Sequence, residues 1–549
     1  MQIINIKDLK KYYGSRLILD IDELKINSGD RIGVVGVNGV GKTTFLEILA
    51  GLIDFDSGNL SINSDVTIKY ISQLEKPNNK TISGKYASIF DVDNQWNDKM
   101  SGGEKTRFKL AEGFENQGSL MLIDEPTSNL DIDGINLIIN NFKDYGETYL
   151  VVSHDRSLLD STCNKILEIE NGKVKLYRGN YSKYVEIKEE EMSRREFEYE
   201  EYIKEKKRLT NLKASIESKS SSLKGPPKRM GNSEARLHKM GGQGAKKKLD
   251  NFAKSIESRI NHLEVKEKPI EEDVIKIKIS ESTKAHGKIL ISGHKIYKSY
   301  GDNVIFEDAN FNIFNGKKVA LIGPNGSGKT TLINMILNEE NIKVSKNVRI
   351  GYFSQSLDIL DGNKSILANV MEDSIHDENF ARLILARLLF KGDKVYDKVD
   401  LLSGGERVKL SFAKMILKDI NLLILDEPTN YLDISSLEVI EELLVNYNGT
   451  ILIVSHDRRF IEKVANDLLI IENKKIKHFQ GNYKEYLENK KKEKLDIEEK
   501  EIEEKKMLLK TEISALIGEI SLEKNEDRKI DLDMKYQEKL EELKDLNKM

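Results

Sequence analysis

The sequence predicts an α/β fold in which one module occurs twice in tandem, with a long helical hairpin between the copies and another after the second. Four segments recur in the same order. The pairs are GVNGVGKTT at Gly36 and GPNGSGKTT at Gly323, SGGEK at Ser101 and SGGER at Ser403, LMLIDEPTSNLD at Leu120 and LLILDEPTNYLD at Leu422, and VVSHDR at Val151 and IVSHDR at Ile453. Apolar runs that end in an acid are typical of buried parallel strands.

The repeat divides the chain into four parts. Residues 1–184 and 285–488 hold the two copies, residues 185–284 lie between them, and residues 489–549 follow. Between the copies, apolar residues recur at spacings of three, four and seven, which predicts two narrow-seamed helices in an antiparallel hairpin. The charged tail predicts a second, shorter helical hairpin.

The two copies differ in length at one place. The offset between them is 282 residues at Gln73 and 302 residues from Ser101 onward. The first copy is therefore 20 residues shorter between its glutamine and its SGGE segment. We expect the helical insert at this place to be reduced in the first copy.

Composition limits the class of protein. A chain of 549 residues is too long for one hydrophobic core. The formal net charge is only −4, and the single cysteine, Cys163, rules out a disulfide framework and suits a reducing compartment. The sequence has no apolar leader and no run of about 18 apolar residues. These features predict a cytoplasmic protein without membrane segments.

Two complete GxxxxGK[ST] motifs predict two phosphate-binding loops. Their glycines let backbone N–H groups point at phosphate oxygens, at the start of a helix whose dipole favours anions. The lysines would bind the β- and γ-phosphates, and the threonine after each lysine would bind Mg²⁺. The residues assigned to the nucleotide are Gly36, Asn38, Gly39, Gly41, Lys42, Thr43, Thr44, Gly323, Asn325, Gly326, Gly328, Lys329, Thr330 and Thr331. Two copies in the same context outweigh a chance match in a glycine-rich turn.

Acidic residues after two apolar runs predict the metal site and the catalytic base. Asp124 and Asp426 end these runs and suit a water-mediated contact with Mg²⁺. Glu125 and Glu427 follow directly, where they are placed to orient or deprotonate the attacking water, a contribution of roughly 10² to 10⁴ in rate. The sequence therefore predicts phosphate groups of a nucleotide as ligand, Mg²⁺ as cofactor, and hydrolysis at both sites.

Together these motifs resemble the ATP-binding cassette (ABC) superfamily, and the match covers both copies. The resemblance implies that each SGGE signature contacts the γ-phosphate held by the other copy, so that two ATP molecules lie between the cassettes of one monomer. It assigns signature contacts to Ser101, Gly102, Gly103, Ser403, Gly404 and Gly405, Mg²⁺ ligation to Gln73 and Gln355, γ-phosphate contacts to the switch histidines His154 and His456, and adenine stacking to Tyr13 and Tyr300. A surface or core role for the two tyrosines stays open.

Two cassettes fused through a long charged linker resemble the ABC-F family, whose members act on ribosomes. This resemblance covers nearly the whole chain apart from the tail. It implies that the linker hairpin enters the ribosomal E site, contacts P-site tRNA and points its tip at the peptidyl-transferase centre. The expected partners are therefore the 70S ribosome, its 23S rRNA and the P-site tRNA.

The predicted tip of the linker is basic. Residues 204–248 contain 14 Lys/Arg and 3 Asp/Glu, whereas residues 186–201 contain eight glutamates and three basic residues. The segments GPP, GN and GGQGA predict an irregular loop at about residues 218–248, and charge of one sign on such a loop suits structured RNA. The candidate RNA-binding residues are Lys224, Lys228, Arg229, Arg236, His238, Lys239, Lys246, Lys247 and Lys248.

Three features narrow the resemblance to the Vga/VmlR group of antibiotic-resistance proteins. Only 27 residues, 74–100, separate the first glutamine from its signature, so the large arm of housekeeping members is missing. The long linker loop and the C-terminal extension also match this group. The resemblance implies protection against lincosamides, pleuromutilins and streptogramin A by remodelling of the drug site, with dissociation after ATP hydrolysis.

Two other functions stay open at this point. One is an ABC-F translation factor that acts without any drug. The other is the ATPase component of a membrane transporter, which the basic hairpin disfavours. By the resemblance the tail lies near the mRNA exit region of the small ribosomal subunit, although a hairpin that only adds solubility fits the sequence equally well.

Overall fold

The structure is a computed structural model that describes residues 1–549 except 74, 117, 223–231, 267–286, 355–358, 430–431, 523–525 and 548–549, and no side chains of 232–244, 493–502 and 526–528. The chain divides into two compact units. The first comprises Met1–Ser128 and Leu137–Ile275, and the second comprises Asn129–Asn136 and Lys276–Met549. The eight residues 129–136 of the first copy thus belong with the second unit.

The first copy alternates strands and helices, as its apolar runs predict. Its strands are β1 Gln2–Tyr13, β2 Arg16–Asn27, β3 Arg31–Val35, β4 Ser57–Ile62, β5 Ile68–Ile71, β6 Leu120–Asp124, β7 Thr148–Val152, β8 Lys165–Glu170 and β9 Lys173–Arg178. Its helices are α1 Lys42–Leu49, α2 Gly84–Ile89, α3 Gly102–Glu115, α4 Ile132–Asp144 and α5 Arg156–Thr162, and the linker forms α6 Tyr181–Ser222 and α7 Asn232–Asn261.

The second copy repeats this order. Its strands are β10 Ile289–Tyr300, β11 Asn303–Phe314, β12 Lys318–Ile322, β13 Ile342–Val344, β14 Ile350–Phe353, β15 Leu422–Asp426, β16 Thr450–Val454, β17 Asp467–Glu472 and β18 Lys475–Gln480. Its helices are α8 Lys329–Leu337, α9 Ile366–Met371, α10 Glu378–Arg387, α11 Gly404–Leu417, α12 Ile434–Val445 and α13 Arg458–Val464, and the tail forms α14 Tyr483–Leu522 and α15 Glu526–Leu546. The repeated α/β fold is therefore confirmed.

Each copy contains a six-stranded sheet and a three-stranded antiparallel sheet. The six-stranded sheets have the orders β5-β6-β7-β3-β8-β9 and β14-β15-β16-β12-β17-β18, in which every strand but the last is parallel to its neighbours. Strands β6 and β7 are buried along their whole length, as central strands of a parallel sheet should be. The carboxyl ends of β3, β6 and β7 meet at one edge, which brings the phosphate-binding loop, the acidic pair and the SHDR segment together.

The insert before the signature differs between the copies in the expected direction. Among the described residues of the first copy it contains α2 and an isolated bridge between Thr81 and Gln95. The second copy has α9 and α10 at this place, followed by two short 3-10 helices, Gly392–Tyr396 and Val399–Leu401. The described part of the insert therefore contains fewer helices in the first copy than in the second.

The linker is a helical hairpin whose two helices extend into the segment predicted to be irregular. Helix α6 continues to Ser222 and α7 begins at Asn232, so the predicted irregular loop at 218–248 is wrong at both of its ends. The GGQGA segment lies within α7. A glycine in a helix interior costs only about 1 kcal/mol relative to alanine. The buried contact of Leu209 and Ile216 with Ala253 and Ile256, together with continuous helical hydrogen bonding, outweighs that cost.

One carboxylate fixes the base of α6 to the first sheet. The side chain of Glu168 on β8 accepts hydrogen bonds from the hydroxyls of Tyr184 at 2.7 Å and Tyr177 at 3.1 Å, and from Nζ of Lys188 at 2.9 Å. Glu168 pairs in register with Val35, the last residue of β3. The base of the linker helix is thus held next to the strand that leads into the phosphate-binding loop.

The tail forms the second helical hairpin that the sequence predicts. Helices α14 and α15 pack together, and Nζ of Lys539 lies 3.4 Å from a carboxylate oxygen of Glu512. Several apolar side chains of this hairpin are exposed, among them Met507, Leu522 and Met534. Among the residues that the structure describes, none of the helices combines the length and apolar character that crossing a membrane requires.

A buried ion pair anchors the second signature helix. Nζ of Lys409 on α11 lies 3.1 Å from Oδ2 of Asp433, and the two side chains are 7% and 1% exposed. Asp433 also caps α12 by accepting from the backbone N–H of Ser436 at 2.8 Å. At the equivalent place in the first copy, Arg107 pairs instead with the exposed Asp91 at 2.8 Å.

We expect Lys409→Met to lower the free energy of unfolding by about 3–5 kcal/mol, because it leaves the buried charge of Asp433 without its partner. Arg107→Met is the matched control. Because Asp91 is exposed, losing that ion pair should cost at most about 1 kcal/mol. Urea denaturation of both variants measures the difference, and equal losses would show that Lys409 contributes no more than a surface cation.

Candidate nucleotide-binding sites

The first phosphate-binding loop lies between β3 and α1. Gly41 precedes the helix with φ of 107°, and a Cβ added there would lie 2.7 Å from Cγ2 of Ile18. Only glycine avoids both the strained backbone and the collision. Lys42 begins the helix, and its Nζ donates to the carbonyls of Gly36 at 2.7 Å and Val37 at 3.3 Å. The loop therefore holds a cation at the N-terminus of a helix, where an anion is favoured.

The second phosphate-binding loop has the same geometry. Gly328 has φ of 105°, and a Cβ there would collide with the side chain of Ile305. Nζ of Lys329 donates to the carbonyls of Gly323 at 2.9 Å and Pro324 at 3.0 Å. Burial lowers the pKa of Lys329. A buried ammonium gains most from an anionic ligand, so the second loop is also suited to phosphate.

The acidic residues that end β6 and β15 fit a divalent cation. Oγ1 of Thr43 donates to Oδ2 of Asp124 at 2.9 Å, so two oxygen atoms of the kind that Mg²⁺ prefers converge beside Lys42. Burial raises the pKa of Asp124 and of Asp426. A cation held there would favour the charged form of both carboxylates. In the second site the hydroxyl of Tyr352 donates to Asp426, a contact that the sequence analysis missed.

Three further residues were predicted as Mg²⁺ ligands. Gln73 is exposed, and its Nε2 donates to Oγ of Ser128 at 3.2 Å. Thr330 is exposed at the start of α8. Gln355 lies outside the described residues. Gln73 and Gln355 therefore remain predictions.

The predicted catalytic glutamates adopt an unusual backbone conformation. Glu125 and Glu427 have φ of 49° and 50°, in the left-handed region that side-chain-bearing residues rarely occupy. The backbone N–H of each donates to the end of the adjacent strand, to the carbonyls of Val152 and Val454, both at 2.9 Å. Strained conformations of this kind concentrate at active sites. The same strain at equivalent positions points to one chemical role for both residues.

The environment of these glutamates disfavours their charge in the absence of ligand. Burial raises the pKa of Glu125 and of Glu427 to about 8. Oε1 of Glu125 lies 3.5 Å from Nε2 of His154, and Oε1 of Glu427 lies 3.3 Å from Nε2 of His456. Neither oxygen accepts a hydrogen bond from a described residue. Each site thus presents a buried acceptor oxygen that an attacking water would satisfy.

The two histidines predicted to contact the γ-phosphate lie beside the glutamates. Nε2 of His154 is 3.1 Å from Oδ1 of Asn38, which links this histidine to the first phosphate-binding loop. Burial, together with the charge of Lys329, lowers the pKa of His456 to about 4. His456 is therefore neutral at physiological pH.

An aspartate outside the predicted set contacts the second phosphate-binding loop. Oδ2 of Asp131, in the segment 129–136 that belongs with the second unit, accepts from the backbone N–H of Asn325 at 3.0 Å. Its charge also acts on Lys329 and His456. The LD dipeptide after DEPT was the only sequence signal for this residue, and the contact depends on tertiary packing.

The two signature serines cap helices. Oγ of Ser101 accepts from the backbone N–H of Glu104 at 3.3 Å, and Oγ of Ser403 accepts from that of Glu406 at 3.4 Å. Each glutamate in turn accepts from the backbone N–H of its serine, which completes a capping box. Both serines are exposed, so each signature presents a free helix N-terminus suited to an anion.

The predicted adenine-stacking tyrosines lie in equivalent turns. Tyr13 and Tyr300 end the first strand of each copy, directly before Gly14 and Gly301, and are 50% and 57% exposed. Nζ of Lys11 lies 5.6 Å from the ring centre of Tyr13, and Nζ of Lys298 lies 5.5 Å from that of Tyr300. Their role in adenine binding remains a prediction.

The predicted RNA-binding residues fall into two groups. Lys246, Lys247 and Lys248 are exposed on α7. Lys224, Lys228 and Arg229 lie outside the described residues, and Arg236, His238 and Lys239 lie in the part of α7 whose side chains are not described.

Comparison with known proteins identifies the family. The profile of the family described as "ABC transporter" matches residues 19–98 and 306–430. The ribosome protection protein VmlR of Bacillus subtilis is 31% identical over 95% of this chain and 94% of its own length. The ABC transporter F family member 5 of Arabidopsis thaliana is 29% identical over 91% of this chain and 79% of its own length. The chain belongs to the ABC-F family. This ABC-F protein is therefore an ATP-binding enzyme that hydrolyses ATP.

Two further similarities concern resistance and the fold. The erythromycin resistance ATP-binding protein MsrA of Staphylococcus epidermidis is 34% identical to this ABC-F protein over 82% of the chain and 93% of its own length. The solved structure of the RNase-L inhibitor covers 87% of this chain and 91% of its own with a TM-score of 0.59 at 20% identity. At this identity the structural similarity supports the tandem-cassette fold alone.

Proposed function

We propose that the protein binds the 70S ribosome in the cytoplasm and protects it from antibiotics. The observation that carries this proposal is the similarity to VmlR, a ribosome protection protein, along 95% of the chain, which includes the linker and the tail. The similarity to MsrA, named for erythromycin resistance, supports the same reading.

At each nucleotide site, the proposed chemistry assigns one role to each kind of residue. Lys42 and Lys329 bind the β- and γ-phosphates, and the backbone N–H groups of the loops bind the remaining phosphate oxygens. Thr43 and Asp124, with their counterparts in the second copy, hold Mg²⁺, which neutralises the charge that develops on the phosphates.

The catalytic glutamates complete this site. The attacking water lies between the γ-phosphate and the unsatisfied Oε1 of Glu125 or Glu427, which orients it and accepts its proton. The pKa of each glutamate is about 8 in the structure, and Mg²⁺ held by the neighbouring threonine and aspartate would favour the charged form that acts as the base.

The proposed cycle converts nucleotide binding into movement of the linker. ATP is bound between the two cassettes, with Ser101 and Ser403 each contacting the γ-phosphate held by the other copy. Because Glu168 fixes α6 to the strand beside the first phosphate-binding loop, closure moves the linker hairpin as a lever. The hairpin enters the E site, displaces the P-site tRNA and remodels the peptidyl-transferase centre, and hydrolysis releases the protein.

Drug susceptibility of a sensitive bacterial host that expresses the protein tests this function. The panel comprises a lincosamide, a pleuromutilin, a streptogramin A, a macrolide and a phenicol. We expect protection against the first three, and we expect it to vanish in the Glu125→Gln/Glu427→Gln variant. A well-expressed wild type that protects against none of the five would contradict the proposal and favour a translation factor that acts without a drug.

Neutralising the exposed lysines of the linker is expected to weaken ribosome binding and to flatten its salt dependence. Each phosphate contact contributes about 0.7–0.9 to the slope of log K against log salt, so Lys246→Gln, Lys247→Gln and Lys248→Gln together should reduce the slope by about 2–3. Co-sedimentation with ribosomes at several salt concentrations measures it.

The control for this variant exchanges three cations of α6 that are already paired or stacked. These are Lys183, Lys204 and Lys206, which lie against Glu186, Glu201 and the ring of Tyr202. Their replacement by glutamine should leave the slope nearly unchanged. An equal slope for both triple variants would show that the lysines of α7 form an ordinary solvated face.

A further inference from the structure

One flank of α7 presents an exposed aromatic ring between cations. Lys248, Phe252 and Arg259 are spaced by four and seven residues, so they lie along one side of the helix. Phe252 is 53% exposed, and both cations are exposed. The face that packs on α6 is formed by other residues, including Leu249, Ala253 and Ile256. The ring is therefore left outside the seam of the hairpin.

The opposite flank of α7 is occupied by contacts to α6. Asp250 accepts from Oγ of Ser220 at 2.6 Å, and Glu257 lies 2.8 Å from Nζ of Lys213. These contacts fix the rotation of α7 in the hairpin. The flank that carries Phe252 consequently faces outward and is accessible to a partner.

Charge separates this flank from the rest of the hairpin. On α6, some cations are paired within the helix, as in the pair of Arg208 with Glu205 at 2.7 Å and of Lys204 with Glu201 at 3.1 Å. By contrast, no described side chain forms an ion pair with Lys248. Arg259 acts on Glu205 only through its charge, at longer range. A cation without an acidic partner retains its full attraction for phosphate.

We propose that Phe252 stacks on an unpaired RNA base while Lys248 and Arg259 contact the phosphates on either side of it. The rise of about 1.5 Å per residue places Lys248 roughly 6 Å and Arg259 roughly 10 Å along the helix from Phe252, on opposite sides of the ring and about one and two nucleotide spacings away. An aromatic face between cations is the combination that recognises single-stranded nucleic acid. The inference rests on the proposed function, since the RNA in question would be rRNA or tRNA on the ribosome.

The test uses the full-length protein and a fluorescein-labelled single-stranded RNA of mixed sequence, about 12 nucleotides long, a length within the range that such sites cover. Fluorescence anisotropy should show that Phe252→Ala weakens binding by about 10-fold and that Phe252→Tyr binds as the wild type does. Phe252→Ala should leave the salt slope unchanged, because a ring releases no counterions. Lys248→Gln should reduce the slope by about one.

Phe197→Ala is the matched control. Phe197 is exposed to 64% on α6, between Glu196 and Glu198, and should not affect RNA binding. Equal affinity of Phe252→Ala and the wild type would overturn the proposal, as would equal losses in both alanine variants. Loss of ribosome binding by Phe252→Ala without loss of RNA binding would also overturn it, in favour of a contact with a ribosomal protein.

The RNA measurement and the test of the proposed function fail separately. Anisotropy with a free oligonucleotide requires neither ribosomes nor a drug. If drug protection is missing but Phe252→Ala loses RNA affinity, the result supports the stacking role of Phe252 and contradicts the proposed protection of ribosomes. If the wild type protects against the drugs but Phe252→Ala binds RNA as the wild type does, the result supports ribosome protection and contradicts the stacking role of Phe252.

Discussion

The Glu125→Gln/Glu427→Gln variant is expected to lose ATP hydrolysis by about 10² to 10⁴-fold while it keeps its affinity for ATP. The glutamine amide occupies the same space but accepts no proton from water, and the phosphate contacts of Lys42 and Lys329 are untouched. Release of inorganic phosphate measures hydrolysis, and binding of a fluorescent ATP analogue measures affinity. Because hydrolysis precedes release in the proposed cycle, the variant should also accumulate on ribosomes when ATP is present.

Two comparisons make this prediction specific. Each single variant should retain part of the hydrolysis if both sites are active, because each site has its own glutamate in the same strained conformation. Glu23→Gln, which changes an exposed carboxylate on β2, should hydrolyse ATP as the wild type does. If the double variant hydrolyses ATP at the wild-type rate, Glu125 and Glu427 are not the bases. If it loses hydrolysis yet sediments free of ribosomes, the ribosomal part of the proposal is wrong.

The same double variant is expected to be more stable than the wild type at alkaline pH when no nucleotide is bound. The pKa of each glutamate is about 8 in the folded protein and about 4.5 in the unfolded chain. Between these values the folded state keeps a proton that the unfolded state releases, so wild-type stability falls as pH rises through this window and levels off above it. Glutamine does not titrate, and the variant avoids this loss.

Thermal denaturation from pH 5 to pH 9 tests this stability difference. The double variant and the wild type should melt at similar temperatures near pH 5 and diverge up to about pH 8, by an amount that corresponds to roughly 3 to 5 kcal/mol for each carboxylate. Glu23→Gln is again the control. Because Lys25 lowers the pKa of Glu23, its contribution is complete above pH 5, and the difference from the wild type should stay constant there. A constant difference for the double variant as well would mean that Glu125 and Glu427 are charged in the free protein.

Much of the nucleotide site follows from local sequence. The glycines that precede Lys42 and Lys329 are required by backbone conformation, and an apolar run ending in an acid is typical of a buried strand that delivers its carboxylate to the sheet edge. The serine and glutamate of each SGGE segment form a capping box within four residues. Interactions over such short distances along the chain leave few alternatives, so the local sequence constrains the conformation at these positions.

The linker shows where local reasoning fails. Prolines and glycines in residues 224–248 predicted an irregular loop, but α7 begins at Asn232 and includes the GGQGA segment. A penalty of about 1 kcal/mol per glycine is small beside the gain from packing a long helix on its partner. The spacing of Leu249, Phe252 and Ile256 suggested one apolar seam, whereas Phe252 lies outside the seam.

The sequence alone establishes two nucleotide cassettes, the chemical roles of their loops and acids, and the two helical hairpins, because each depends on neighbours within a few turns or strands. Tertiary packing decides what spacing does not encode. It sets the partner of Asp131 and the rotation of α7, and it gives Lys409 a buried ion-pair partner where Arg107, at the equivalent position, has an exposed one. Burial is the physical reason. It sets which carboxylate is held by a lysine, which one keeps its proton, and which aromatic ring is left for a partner.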